Sequence, residues 1–181
     1  MTHPADADRP AVQADAERDL IGHLRRQASA VSERRGWAYS SLAALLLVHG
    51  RLFTPSRWAD SVAPPGEPGR CYVESVSWAW ASSGTLAYVE GLACSAGGAM
   101  VEHAWCADVL DGRARDLTWS EPGRAYLGLP VDAEHAAGVM GARAGPLLYG
   151  VVQGVSDVAE RWMRSGIPEG LLLDVGRAVP D

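Results

Sequence analysis

Gly69-Arg70-Cys71-Tyr72-Val73-Glu74-Ser75-Val76-Ser77-Trp78-Ala79-Trp80-Ala81 is the stretch on which the reading of the fold turns. Val73, Val76 and Trp80 recur at helical spacing, so a helix is predicted over 71–81, and Ser83-Gly84 breaks it. Upstream, Thr54 to Gly69 carries four prolines and two glycines and is predicted to be an irregular loop that delivers the chain to Cys71. Downstream, 86–94 reads as a strand that ends in a Gly-rich turn at 95–99. Residues 101–110 read as a second strand, and Asp111-Gly112 as a two-residue hairpin turn into a third strand over 115–119. The predicted order is a helix followed by an antiparallel meander.

Outside this core the pattern is mainly helical. Leu20, Ile21, Leu24, Ala28 and Val31 recur every three or four residues, which predicts an amphipathic helix over 15–35 with Gly36 behind it. A second helix is expected over 40–48, stopped by Gly50, and residues 42–62 are a candidate lid over a cleft. Helices are also expected over 132–142 and 156–164, the latter closed by Gly166-Ile167-Pro168. Residues 1–14, rich in Ala, Asp and Pro, read as a disordered tail. The expected organisation is one α+β domain over 15–181, with its core at 69–131 and helical extensions at 15–53 and 132–165.

Composition narrows the function. The 181 residues are 48% apolar and 21% charged, ordinary for a globular protein, and no apolar run reaches the length of a membrane span. The N-terminus lacks the basic-then-apolar order of a secretory signal, so a cytoplasmic protein is expected. Net charge is −6, every basic residue is Arg, and these are scattered, so neither a nucleic-acid face nor a membrane surface is expected. Three irregularly spaced cysteines, Cys71, Cys94 and Cys106, argue against a disulfide framework.

Cys71 opens the predicted helix behind a Pro/Gly-rich loop. Free backbone N–H groups and the positive end of a helix dipole favour a thiolate at such a place. A nucleophilic thiol also needs a base that meets it in space, and His103, in Glu102-His103-Ala104-Trp105 near the start of a strand, is the candidate. A metal site from Cys94, His103 and Cys106 is disfavoured, because residues three apart on a strand point to opposite faces. The zinc-deaminase signature is also incomplete. No metal or other cofactor is expected. Glu90, mid-strand before Gly91, reads either as a buried polar partner near the site or as an edge residue. Trp105 and Trp119 read as core or as walls of the site, and Tyr126 and Gly128 as cleft lining or as a turn.

Gly69-Arg70-Cys71, the strand Ala87-Tyr88-Val89-Glu90-Gly91, His103-Ala104-Trp105 and Asp116-Leu117-Thr118 together resemble the core of transglutaminase-like cysteine enzymes. The resemblance covers roughly residues 69–131. It implies a papain-like fold in which Cys71 is the nucleophile, His103 the general base and Asp116 the orienting carboxylate. The family's Asp-Pro-Thr is Asp-Leu-Thr here. Leu46 to Pro55 and Tyr126-Leu127-Gly128-Leu129-Pro130 extend a second resemblance, to small proteins of actinobacteria and their phages.

The expectation is a cysteine-dependent acyl-transfer enzyme, hydrolase or amidotransferase, acting on a peptide, a protein or a small amide. Glu90, Trp105 and Tyr126 are expected to contact that substrate. A catalytically degenerate binding or accessory protein on the same fold is the alternative, and a helical interaction module is a third reading. One expectation conflicts with a triad. A two-residue turn at Asp111-Gly112 sets Asp116 opposite Ala107, about 13 Å along the strand from His103.

Overall fold

The computed structural model describes residues 9–57, 65–141, 150–153 and 157–180. Five helices and six strands lie among them: α1 (Arg9–Ser29), α2 (Leu42–His49), β1 (Arg51–Ser56), α3 (Cys71–Ala81), β2 (Leu86–Cys94), β3 (Met100–Asp108), β4 (Arg113–Arg115), β5 (Ala125–Val131), α4 (Ala133–Gly141), α5 (Asp157–Ser165) and β6 (Arg177–Ala178). The class is mixed α+β. The sheet runs β4-β3-β2-β5-β1-β6, and a parallel pairing of β1 with β4 through Thr54–Arg113 to Ser56–Arg115 closes it into a small barrel.

Two of these strands fall where no strand is expected. β1 occupies residues assigned to a helical extension and a loop, and β5 occupies residues assigned to cleft and turn. β5 is buried along its whole length between β2 and β1, so every position is apolar or Gly and the period-two signal of a half-exposed strand is missing. With 42–56 built into the fold as α2 and β1, no part of that stretch is a lid; residues 58–62 of the expected lid lie outside the described residues.

Two apolar clusters divide the structure. Phe53, Val89, Trp105, Tyr126 and neighbouring small residues fill the barrel interior. The other sheet face carries Tyr88, Leu92, Cys106, Leu127 and Leu129, which pack with the helices. Ala16, Leu20, Ile21 and Leu24 form the buried stripe of α1. That helix starts at Arg9, inside the expected tail. Alanines and the i,i+4 bond from Gln13 Nε2 to Glu17 Oε1 (2.7 Å) favour it there. It stops at Ser29, whose hydroxyl donates to the Arg25 carbonyl at 2.8 Å, and not near Gly36. α2 is capped by Ser41, whose Oγ accepts from Ala44 N at 3.1 Å. Gly50 then turns the chain directly into β1, with its N–H on the Leu46 carbonyl at 2.8 Å.

The β3–β4 connection decides the site. Cys106 faces Arg115 and Ala107 faces Ala114, with residues 109–112 between the strands. The loop is therefore four residues long, not two, and its Gly112 N–H returns to the Asp108 carbonyl at 2.9 Å. The Asp108 and Asp111 carboxylates accept the backbone N–H groups of Leu110 and Arg113 and stabilise this wider turn. Relative to the two-residue turn, the register moves β4 two residues closer to the start of β3. β4 also ends at Arg115, so Asp116 is free to leave the ladder.

Candidate active site

Cys71 is the first residue of α3. Its approach is stitched in place: Gly66 N–H bonds the Leu117 carbonyl at 2.9 Å, Arg70 N–H bonds the Glu67 carbonyl at 3.2 Å, and Gly69 takes a positive φ of 80° to turn the chain into the helix. Arg70, at the N-cap position, makes no side-chain cap, and the first helical bond runs from Glu74 N–H to the Arg70 carbonyl. Cys71 is 9% exposed.

His103 lies on β3 opposite Gly91 of β2, which is itself opposite Gly128 of β5. This glycine row is needed. A Cβ on Gly91 would fall 2.2 Å from the Leu127 carbonyl oxygen, and one on Gly128 would fall 2.8 Å from the Trp105 ring. The sheet thus coils tightly beside the imidazole and leaves space for aromatic rings. Trp119 stacks on His103 with centroids 4.1 Å apart and planes 15° from parallel, and Trp105 lies at 6.3 Å.

Asp116 reaches the same ring. His103 Nε2 and Asp116 Oδ2 are 2.8 Å apart, and both residues are almost fully buried. Tyr126 Oη donates to Asp116 Oδ2 at 3.0 Å while accepting from Gly123 N–H at 2.7 Å. Oδ1 accepts the N–H groups of Thr118 and Trp119, both at 3.0 Å. The carboxylate is held as an anion: burial pushes it up, but the His103 bond and charge and these N–H donors outweigh that and bring its pKa below the usual value. Burial pushes His103 down, but hydrogen bonds and charge from Asp116 and Cys71 outweigh it and raise the imidazole to about 9. Cys71, at the start of α3, thus acts on the same ring that Asp116 holds, as the second partner that raises it.

The structure thus pairs His103 with Asp116, and Cys71 enters as an electrostatic partner of the same ring. The structure does not bring the three expected substrate contacts to a surface. Trp105 and Tyr126 are 0% exposed: the first is barrel core, the second a hydrogen-bond partner of Asp116. Glu90 is also 0% exposed, because its carboxylate accepts Tyr88 Oη at 2.9 Å and the backbone N–H groups of Val151, Val152 and Gln153. Burial raises it to about 7 against the pull of those bonds. It anchors the 150–153 segment. No local pattern pairs Glu90 with residues some sixty positions on, and those residues carry no motif. The other two cysteines are elsewhere. Cys106 points away from His103 and donates to the Ser75 carbonyl at 3.3 Å beneath α3, where burial pushes its thiol up to about 12. Burial also raises Cys94.

An open groove of about 650 Å³ runs between Gly66 and Pro68 on one side and residues 95–97 on the other, with 118–121 along it. Trp119 belongs to both places, lining the groove and covering the imidazole. Among the described residues, no group of three His, Cys, Asp or Glu side chains is arranged to hold a metal ion, and no helix is long and apolar enough to cross a membrane. The chain matches no family model, no curated protein and no solved structure.

Proposed function

We propose that this chain is a transglutaminase-like cysteine enzyme of the acyl-transfer type, cytoplasmic, with a peptide, protein or small amide as substrate. The observation that carries the reading is the buried Asp116–His103 pair at 2.8 Å, with Cys71 at the start of α3 acting electrostatically on the same imidazole. A helix opened by cysteine, followed by antiparallel strands that carry the histidine and lead to the aspartate, is also the order of the papain-like core that the motifs resemble.

Asp116 occupies Nε2, so the nitrogen left for the thiol is Nδ1. In the proposed reaction, Cys71 gives its proton to His103 and its sulfur attacks the acyl carbon of a carboxamide. The tetrahedral oxyanion collapses, the C–N bond breaks, and His103 passes the proton to the departing amine. Water or a second amine then attacks the thioester and loses a proton to His103. The C–S bond breaks and Cys71 recovers its proton. The Cys71 N–H, at a helix start and without an intrahelical acceptor, would donate to the oxyanion. The groove beside Trp119 is the route proposed for substrate.

One observation favours a second reading, a degenerate site used for binding. Cys71 and His103 are only 9% and 3% exposed, with Trp119 across the ring. Alkylation by iodoacetamide near neutral pH, read by mass spectrometry, separates the two. An active site labels Cys71 ahead of Cys94 and Cys106, and His103→Asn removes most of that rate. The three thiols differ in burial, so the comparison within Cys71 is decisive. A Cys71 rate that is indifferent to His103→Asn refutes the catalytic reading.

A further inference from the structure

Residues 150–153 form neither helix nor strand, yet all four are buried. Their seat is Glu90. Three consecutive backbone N–H groups, from Val151, Val152 and Gln153, converge on its carboxylate, the first two at 2.6 and 3.0 Å, and Tyr88 Oη supplies a fourth donor. Such a row of N–H groups is an anion nest, and the anion here is a side chain of the protein itself. Gly150 completes the fit, since a Cβ there would lie 2.3 Å from the carboxylate. A buried carboxylate is costly unless it is fully hydrogen-bonded, so this arrangement fixes the segment in one place.

What the seat holds is Gln153, which is 1% exposed. Its Nε2 donates to the Gly91 carbonyl at 2.6 Å, and its Oε1 accepts from Tyr72 Oη at 2.9 Å. One planar amide therefore ties β2 to the first turn of α3. Both attachment points are next to the candidate chemistry: Gly91 is the cross-strand partner of His103, and Tyr72 is peptide-bonded to Cys71.

We propose that Gln153, seated on Glu90, is a positioning residue that sets the spacing between the Cys71 thiol and the His103 imidazole. This rests on the catalytic reading of that pair. The amide is suited to the task because its donor and acceptor ends are fixed in one plane. A glutamate would set an acceptor against the Gly91 carbonyl, and an apolar side chain would make neither bond. Small displacements at a reacting pair carry large kinetic effects, about a hundredfold for 1 Å.

The test uses the full chain and the rate of Cys71 alkylation by iodoacetamide across pH, with thermal unfolding followed in parallel. Gln153→Met keeps the volume and removes both bonds; Tyr72→Phe removes a single hydroxyl and guards against a folding defect in the first variant. Each is expected to slow Cys71 by about tenfold and to move its rate–pH profile, as a merely structural role would not. Combining the two should add little, since they break one bracket. Rates within twofold of wild type in both variants, while His103→Asn still abolishes the reactivity, overturn the inference and leave the catalytic reading standing. No effect of His103→Asn overturns both.

Discussion

Replacing Asp116 by Asn changes one atom in the middle of the site, and its consequences follow from the hydrogen-bond directions. The Asn oxygen can keep the N–H groups of Thr118 and Trp119, which leaves an NH2 group where Oδ2 met two donors, His103 Nε2 and Tyr126 Oη. The imidazole can meet that NH2 only by turning Nε2 into an acceptor, which puts the remaining proton on Nδ1. A ring in that tautomer cannot take a proton from Cys71. It also loses the first of the partners that raise it to about 9, so its pKa should fall, with burial pulling it down and Cys71 left as the remaining upward influence. At 1.36 kcal/mol per unit, the net shift from 6.5 to about 9 corresponds to about 3 kcal/mol, shared between Asp116 and Cys71 against the cost of burial.

The pH dependence has a definite sign. His103 titrates higher folded than unfolded, so its stabilisation is complete below pH 6.5 and disappears as pH rises through about 9. Asp116 is shifted the other way, and its contribution is lost only as pH falls below the ordinary carboxylate range. In urea unfolding, the advantage of wild type over Asp116→Asn should therefore be larger at pH 6 than at pH 10 by up to about 3 kcal/mol, the part that remains at pH 10 being the pH-independent contribution of the Asp116 carboxylate. An NMR titration of the His103 ring measures the same shift directly. A gap that is equal at both pH values, or a variant imidazole still titrating near 9, refutes the reasoning.

Gly91→Ala should be the more damaging change to the fold. Its Cβ would meet the Leu127 carbonyl oxygen at 2.2 Å and the Gly128 Cα at 2.4 Å, both backbone atoms that cannot swing away, so a loss of about 3 kcal/mol or more is expected in urea unfolding. A loss below 1 kcal/mol would mean that β2 and β5 are less tightly coiled beside His103. Tyr126→Phe removes the acceptor of the buried Gly123 N–H and one donor to Asp116, and should cost about 1–3 kcal/mol by the same measurement. An unchanged unfolding midpoint would show that the hydroxyl holds neither group.

Local patterns determined a good part of this protein. The helix over 71–81 and the strand over 86–94 coincide with α3 and β2, because the apolar spacing and the Ser83-Gly84 break are properties of a few consecutive residues. The same is true of the buried stripe Leu20, Ile21 and Leu24, although composition misplaced the start of α1. Cys71 and His103 stood out by residue type and position, whereas Asp116 was implied only by the resemblance of the ordered motifs to transglutaminase-like enzymes. The local turn signal at Asp111-Gly112 suggested a two-residue loop, which would set Asp116 too far from the ring. Backbone N–H bonds to the Asp108 and Asp111 carboxylates favour four residues instead, and a register change of two positions is what brings carboxylate and imidazole to 2.8 Å.

Tertiary structure alone decided three things: that 51–56 and 125–131 are strands closing a barrel, that Trp105, Tyr126 and Glu90 are fully buried, and that Gln153 bridges β2 and α3. In each case the deciding partner is distant in the chain. A strand buried on both faces has no periodicity to announce it, and a carboxylate in mid-strand is anchor or edge according to which backbone N–H groups arrive there. Spacing and turn chemistry act between neighbours and are written in order along the chain. Register, closure and the pairing of a buried charge are settled only when remote segments compete for the same space.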